Sequence, residues 1–325
     1  MKIKDIGGEF ALIDRLADLV ALKHAQVVQG IGDDAAVIRT APEPAPYLLV
    51  TTDLLVEGRH FRSTWANAHQ IGFKASECNV SDIAAMGGAA QWMFVSLALP
   101  EDTEVTWVEE LYQGLMASCR RHGAALLGGD TTQGPTTTIN IALLGSVLPG
   151  HLCLRSQARH GDRLMVTGCL GGSAAGLALL ISGRKPSGYL LKKHLEPRCR
   201  MDVAGSIAPL ANAMIDISDG LGAEVHHICT QSKVGAEIDA KKVPLHDEVI
   251  QAGRMIGVDP MQWALGGGED FELLFSISPQ NLSTLMQTGV DCYEIGRVTN
   301  QAGRALLIDA DGHATPLTGG YNHFG

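Results

Sequence analysis

The chain has 325 residues, 46% of them hydrophobic, with 38 glycines and a formal net charge of −10. Length and apolar content predict two globular, turn-rich domains and exclude a disordered or fibrous chain. The acidic balance, with no basic patch, argues against a nucleic-acid partner, and no apolar run approaches the roughly 20 residues of a membrane span.

Taken in order, Met1-Lys2-Ile3-Lys4-Asp5 lacks the apolar stretch of a signal peptide, so a cytoplasmic location is expected. Apolar positions Phe10, Leu12, Ile13, Leu16, Leu19 and Val20 predict a helix over 8–22. Val27-Val28 leads into Gly30-Ile31-Gly32-Asp33-Asp34-Ala35-Ala36, two adjacent carboxylates behind two glycines. Adjacent acids repel, so a fold keeps them in solvent, as an acidic turn, or gives them a cation. Tyr47-Leu48-Leu49-Val50-Thr51-Thr52-Asp53 reads as a buried strand ending in two hydroxyls and a carboxylate. Such a group caps the next turn or ligates a hard cation through oxygen. His60 follows in a loop and is a ligand candidate only through its closeness to Asp53.

A helix is expected over 71–86, with Ala75, Asn79, Asp82 and Met86 on one face. Asp82 sits among Val80, Ile83, Ala84 and Ala85, where a carboxylate needs a metal or a buried basic partner. Residues 92–99 read as a strand and 105–122 as an amphipathic helix with Val108, Leu111, Leu115 and Cys119 toward the core. Tyr112 on that helix is core packing or a surface ring before it is a nucleotide contact. Ala124 to Thr132 repeats the theme of apolar strand, glycines and Asp130. Gly128 and Gly129 there would allow close approach to a phosphate. A strand is expected over 136–148, and Pro149-Gly150 marks the boundary between domains 1–149 and 150–325.

In the second half, residues 162–168 read as a strand, and Gly171-Gly172-Ser173-Ala174-Ala175-Gly176 opens a helix through 181. That turn matches neither standard glycine-rich phosphate motif, so tight helix packing is expected; with no P-loop anywhere, an ATP site must be of another design. In Met214-Ile215-Asp216-Ile217-Ser218-Asp219-Gly220, strand alternation would send Asp216 and Asp219 to opposite faces, while a turn from Ser218 would let both reach one site. Gly266-Gly267-Gly268-Glu269-Asp270 presents two acids before a strand over 271–277, and 306–309 is a late strand. The tail Gly319-Gly320-Tyr321-Asn322-His323-Phe324 is aromatic enough to fold over a ligand, against the ordinary expectation of a loose or packed terminus. Seven cysteines, scattered and without a Cys-x-x-Cys pair, point to reduced thiols and not to disulfides or zinc. Both halves mix strands, long helices and acidic strand ends, which suits α+β domains. An acidic protein handling an anion such as a nucleotide needs divalent cations between the two, which points to a metal-dependent enzyme.

Taken together, Gly-Ile-Gly-Asp-Asp, Thr-Thr-Asp, Asn-Val-Ser-Asp-Ile-Ala-Ala-Met-Gly, Gly-Gly-Asp-Thr-Thr, Ile-Asp-Ile-Ser-Asp-Gly and Gly-Gly-Glu-Asp-Phe-Glu-Leu resemble the thiamine-monophosphate kinase family, in order, over about residues 8–324. That family belongs to the aminoimidazole ribonucleotide synthetase-like superfamily. The resemblance implies a two-domain α+β architecture, with an N-terminal mixed sheet pairing across a homodimer and a C-terminal domain completing the substrate site. It implies direct in-line transfer of the ATP γ-phosphate onto thiamine monophosphate, giving thiamine diphosphate and ADP. By motif, Asp34, Thr51, Thr52, Asp53, Asp82, Asp130, Asp216 and Asp219 would hold several Mg²⁺ ions. Gly129, Asp130, Arg155, Ser218 and Tyr112 would contact ATP; His60, Glu269 and Tyr321 would contact the thiamine phosphate. No catalytic side chain is expected, because the acceptor phosphate, with a second pKa of about 6, is already ionised near neutral pH.

Two positions depart from the family pattern: the stretch from His194 to Arg200 lacks a second proline before Arg200, and Asn322 stands where Asp is usual. Two other classes compete. A sibling synthetase would activate an amide or carboxamide with ATP, but the hydrogenase-maturation type would need a C-terminal cysteine and the selenophosphate type a cysteine near the start. A sensor of thiamine phosphate would have no use for so many acids.

Overall fold

The computed structural model describes residue 5, residues 9–19 and residues 24–321. Helix α1 (Glu9–Leu19) lies within the expected 8–22 helix, whose other residues are outside those described. There follow β1 (Val27–Gln29), β2 (Ala36–Ile38), β3 (Tyr47–Val56), α2 (Ala68–Ala85), β4 (Ala89–Leu99), α3 (Val105–His122), β5 (Ala125–Gln133) and β6 (Thr138–Val147). Among the described residues these strands form one sheet in the order β1-β2-β3-β6-β4-β5, antiparallel except for β4 with β5. Helix α3 has the predicted limits: its apolar stripe buries Leu111, Leu115 and Cys119, and Gly123 closes it in the left-handed conformation.

Two strands run further than expected. β3 continues to Val56 and β5 to Gln133, so Thr51-Thr52-Asp53 and Gly129-Asp130 lie inside strands and not at their ends. Alternation then matters: Thr51 is buried, while Thr52 is exposed on the other face, where its Oγ1 accepts from Asn140 Nδ2 at 3.0 Å. Helices α2 and α3 cover one face around Leu49, Ile71, Ile83, Met93, Leu111, Leu115, Ile139, Ile141 and Leu143. They cross closely because a Cβ at Gly114 would fall 1.9 Å from the His69 carbonyl oxygen, and one at Gly72 2.0 Å from that of Leu111.

The second half contains β7 (Arg163–Val166), α4 (Gly172–Ile181), α5 (Gly188–Leu195), α6 (Met201–Ile207), β8 (Ala211–Asp216), α7 (Leu221–Ser232) and β9 (Gly235–Asp239). Then come α8 (Asp247–Ile256), α9 (Pro260–Gly266), β10 (Leu273–Ile277), α10 (Leu282–Gln287), β11 (Tyr293–Thr299), β12 (Ala305–Ile308) and β13 (Ala314–Pro316). Its strands pair in the order β13-β12-β9-β11-β7-β10-β8, with only β9 and β12 parallel among the described pairs. The sheet is apolar on both faces: Leu164, Val166, Ile215 and Leu274 pack with α7, and Met165, Met214, Phe275 and Ile277 with α6 and α10.

The second group also takes in Ala84 and Ala85 of α2. Helix α2 therefore lies between the two sheets, which explains why it is buried nearly all round, its polar side chains included. Being central, it can hold side chains toward both halves of the molecule.

Candidate active site

Three acids from distant segments meet beside α2. Asp34 comes from the turn before β2, Asp82 from α2 and Asp216 from the end of β8; one carboxylate oxygen of each lies within 4.8 Å of the others. β8 alternation turns Ile215 to one core and Asp216 to the α2 side, where its Oδ2 accepts from Ser81 Oγ at 2.6 Å. Thr51 Oγ1 donates to Asp82 Oδ2 at 2.5 Å. Burial, and then Asp53, Asp216 and Asp34, push the Asp82 carboxyl well above its usual range. Burial and then Asp34 do the same to Asp216. Asp53 is pushed up to about 6 by burial and Asp34. Clustered, buried acids held against their charge form an all-oxygen donor set of the kind that hard divalent cations take.

Arg155 closes this cluster from the other half. Its Nη2 lies 2.5 Å from Asp34 Oδ1 and its Nε 3.6 Å from Asp33 Oδ1, while its backbone N–H donates to Asp33 Oδ2 at 3.2 Å. Asp33, quoted in the motif but assigned no role, is thus part of the site; burial and then Asp34 raise its carboxyl to about 7.

A second group gathers at the other end of α2. Glu269 Oε1 is 2.7 Å from Lys74 Nζ, and that ammonium also donates to the His60 carbonyl at 3.0 Å. His60 and Glu269, nominated from opposite halves of the chain, are therefore neighbours. The Glu269 N–H donates to the Ser218 carbonyl at 2.8 Å, and the Tyr321 N–H to that of Asp219 at 3.1 Å, which sets Tyr321 beside the turn after β8; the rest of the tail, with Asn322, lies outside the described residues. Asp219 sits in that turn, its N–H donating to Glu224 Oε1 at 2.9 Å, outside the three-acid cluster.

Other nominated residues stand apart. Asp130 is exposed on the edge strand β5, in register with Ser96 of β4. Gly129 is explained by strand packing: a Cβ there would fall 1.7 Å from the Val95 carbonyl oxygen. Tyr112 is half-buried against the N-terminal core. The Gly171–Gly176 turn packs tightly, since a Cβ at Gly176 would fall 2.5 Å from the Leu190 carbonyl oxygen, and the α4 N-terminus already receives Asp270, which accepts from the N–H groups of Gly171 at 2.6 Å and Ser173 at 3.2 Å. Glu272 is likewise structural, bonded to Lys193 at 2.8 Å, Arg200 at 2.9 Å and Thr167 at 2.8 Å. The expected strand over 271–277 starts only at Leu273, because Glu269 and Phe271 take φ of 67° and 50°.

Sequence reasoning overlooked Lys74, Ser81 and His194. For the first, the available signal was a lysine set two turns before Asp82 in the same helix. It also overlooked a buried polar joint: Glu77 accepts from Ser118 Oγ at 2.8 Å and the Cys199 N–H at 2.9 Å, with His122 Nε2 2.8 Å away. The missing proline is explained here, since Cys199 precedes Arg200 and a proline in its place would have no N–H to donate. Burial would raise the Glu77 carboxyl, but His122, Ser118 and Cys199 outweigh it and hold it below its usual range. The stability it contributes is therefore present above the ordinary carboxylate pKa and lost as pH falls through the lower folded value. Glu77→Ala is expected to cost about 3 kcal/mol at pH 7 and less at pH 3, read by denaturant titration; equal loss at both pH values would count against an ionised Glu77.

The matches to known proteins follow the same division of the chain. Residues 32–147 match the AIR synthase related protein N-terminal domain and residues 159–309 its C-terminal domain. The chain is 38% identical over 330 residues to thiamine-monophosphate kinase of Escherichia coli strain K12, with 98% of each chain covered. A solved structure described as AaThiL complexed with AMPPCP and TMP superposes with a TM-score of 0.88 at 35% identity, covering 99% of both chains. Hydrogenase maturation protein HypE in complex with ATP superposes with a TM-score of 0.73 at 18% identity over 96% of this chain and 95% of the other, a likeness of fold alone. With both AIR synthase related domains in place and the kinase similarity running the length of the chain, the protein belongs to the thiamine-monophosphate kinase family.

Proposed function

We infer that this protein transfers the γ-phosphate of ATP onto thiamine monophosphate, giving thiamine diphosphate and ADP. The observation that carries the reading is the convergence of Asp34, Asp82 and Asp216 from both halves of a chain of this family. Asp34, Asp82 and Asp216, with Asp53 and the Thr51 hydroxyl beside them, would hold Mg²⁺, and Asp219 a further ion at the turn after β8. Magnesium, when bound, supplies charge neutralisation between two phosphate-bearing anions and a template for in-line transfer. Arg155 adds a fixed guanidinium facing the nucleotide phosphates, and the Ser218 turn a wall for the nucleotide. His60, Glu269 and Tyr321 surround the thiamine end. We assign Tyr112 to core packing. The acceptor oxygen is already ionised, so no side chain is asked to take a proton.

We further propose a homodimer whose sites are shared. The sheet face away from α2 and α3 exposes Leu54, Trp92, Phe94 and Leu127, an apolar surface that a partner sheet would cover. Asp53 of β3 and Gly129 of β5 stand in one row, but β6 and β4 lie between them. Three strand spacings amount to about 14 Å, too far for Thr52, Asp53 and Asp130 of one chain to share an ion. Asp130 would reach the acidic cluster of the partner instead. We place the domain division at 149/150 and the enzyme in the cytoplasm.

The test mixes purified protein, Mg-ATP and thiamine monophosphate and follows phosphorus species by ³¹P NMR. Growth of a diphosphate ester in step with ADP supports the kinase. ATP consumed without that ester points to a sibling synthetase, and binding without turnover to a sensor.

A further inference from the structure

Lys74 is an ammonium in the middle of the fold, its side chain only 3% exposed. Helix α2 carries it two turns before Asp82, so the two lie on one face about 12 Å apart along the axis. One of its contacts is the His60 carbonyl, in the loop after β3; the other is Glu269, in the turn before β10. One buried charge thus joins the two segments proposed to flank the acceptor's organic end, one from each half of the chain.

We propose that Lys74 is the positioning residue of the acceptor site, fixing Glu269 as a hydrogen-bond acceptor for the amino-bearing ring end of the substrate. This deepens the kinase reading and rests on it. Glu269 adopts φ of 67°, a conformation that non-glycine residues hold only under constraint, and its backbone is pinned by the N–H bond to Ser218. With Oε1 taken by Lys74, Oε2 lies 3.6 Å from His194 Nδ1, which itself meets Ser173 Oγ at 3.1 Å. His194 is neutral at physiological pH, because burial and Lys74 push its pKa down to about 4. It is therefore Lys74 that offsets the burial of Glu269 and keeps that carboxyl ionised. The Glu269 side chain is 27% exposed, within reach of a ligand. An ionised, fixed carboxylate accepts from an exocyclic amine, and two helical turns separate that contact from the acids proposed to face the phosphate.

The experiment measures kcat and both KM values for wild type, Lys74→Met, Glu269→Gln and the double variant, after thermal melts confirm folding. Wild-type turnover of thiamine monophosphate tests the kinase reading by itself, so its failure is distinct from a failure at Lys74. In Lys74→Met the KM for thiamine monophosphate should rise about 10- to 100-fold, with the KM for ATP within about twofold. The double variant should be no worse than Glu269→Gln. An unchanged acceptor KM, equal rises in both KM values, or additive losses in the double variant each overturn the proposal. If Lys74→Met does not fold, Lys74→Arg carries the test: a planar fork cannot keep both contacts of a compact ammonium, and the same split between the two KM values is required.

Discussion

Asp82→Asn is expected to abolish phosphoryl transfer while raising the melting temperature of the metal-free protein by a few degrees. The two effects have one cause. Asp82, Asp34 and Asp216 bring oxygens within 4.8 Å of one another in a buried setting, and burial and mutual repulsion push the Asp82 and Asp216 carboxyls well up. Removing one charge relieves that repulsion, and Asn still accepts from Thr51. The same change removes one anionic group from the proposed Mg²⁺ site, at a rate cost of roughly 10³-fold, equivalent to about 4 kcal/mol. The sign of the pH effect follows from carboxyls whose folded pKa lies above the unfolded one. Their contribution is greatest below about pH 4 and is lost as pH rises through the folded value, about 6 for Asp53 and well above the ordinary carboxylate range for Asp82 and Asp216. Metal-free wild type should therefore melt lower at pH 8 than at pH 5, and saturating Mg²⁺ should recover most of the difference. Calorimetry with and without Mg²⁺ reads both; an Asn variant that melts below wild type would remove Asp82 from a repulsive cluster.

The second large effect is a recovery. Asp82→Asn and Asp130→Asn should each be inactive alone, yet co-expressed chains should regain about a quarter of wild-type activity. In the proposed homodimer, half of randomly assembled dimers are mixed, and each mixed dimer has one site free of both substitutions if Asp130 serves the partner's cluster. If Asp130 works within its own chain, every site in a mixed dimer carries one lesion and nothing returns. Purifying the mixed dimer through two affinity tags and assaying it separates these outcomes. Asp130 lies on β5 at the sheet edge, with two strands between it and Asp53.

Much of this was legible in the chain because local chemistry decides it. The stripe Val108, Leu111, Leu115 and Cys119 specifies α3 whatever surrounds it, and Asp82 among apolar neighbours announces a buried charge that must be answered. Where strands stop was less legible. Thr51-Thr52-Asp53 looks like the end of a strand because its residues turn polar, yet the ladder with β6 continues to Val56. Pairing holds a strand together through backbone groups, which side-chain polarity does not report. Hence the sequence places Thr51, Thr52 and Asp53 at one site, while alternation sends the Thr52 hydroxyl to the far face of the sheet.

By itself, the amino-acid sequence determined that acids and glycines recur at the margins of apolar segments, that both halves are α+β, and that the motif order belongs to one family. Only the tertiary structure decided which acids act together. Asp270 and Glu272 stand beside Glu269 in one motif, yet one caps α4 and the other holds Lys193 and Arg200, while Glu269 alone turns to Lys74. Glu77, His122 and Cys199 are 45 or more residues apart in sequence and meet in one buried joint. A carboxylate's role depends on which donor faces it at about 3 Å, and that distance is fixed by packing between segments far apart in the chain, with α2 held between two sheets.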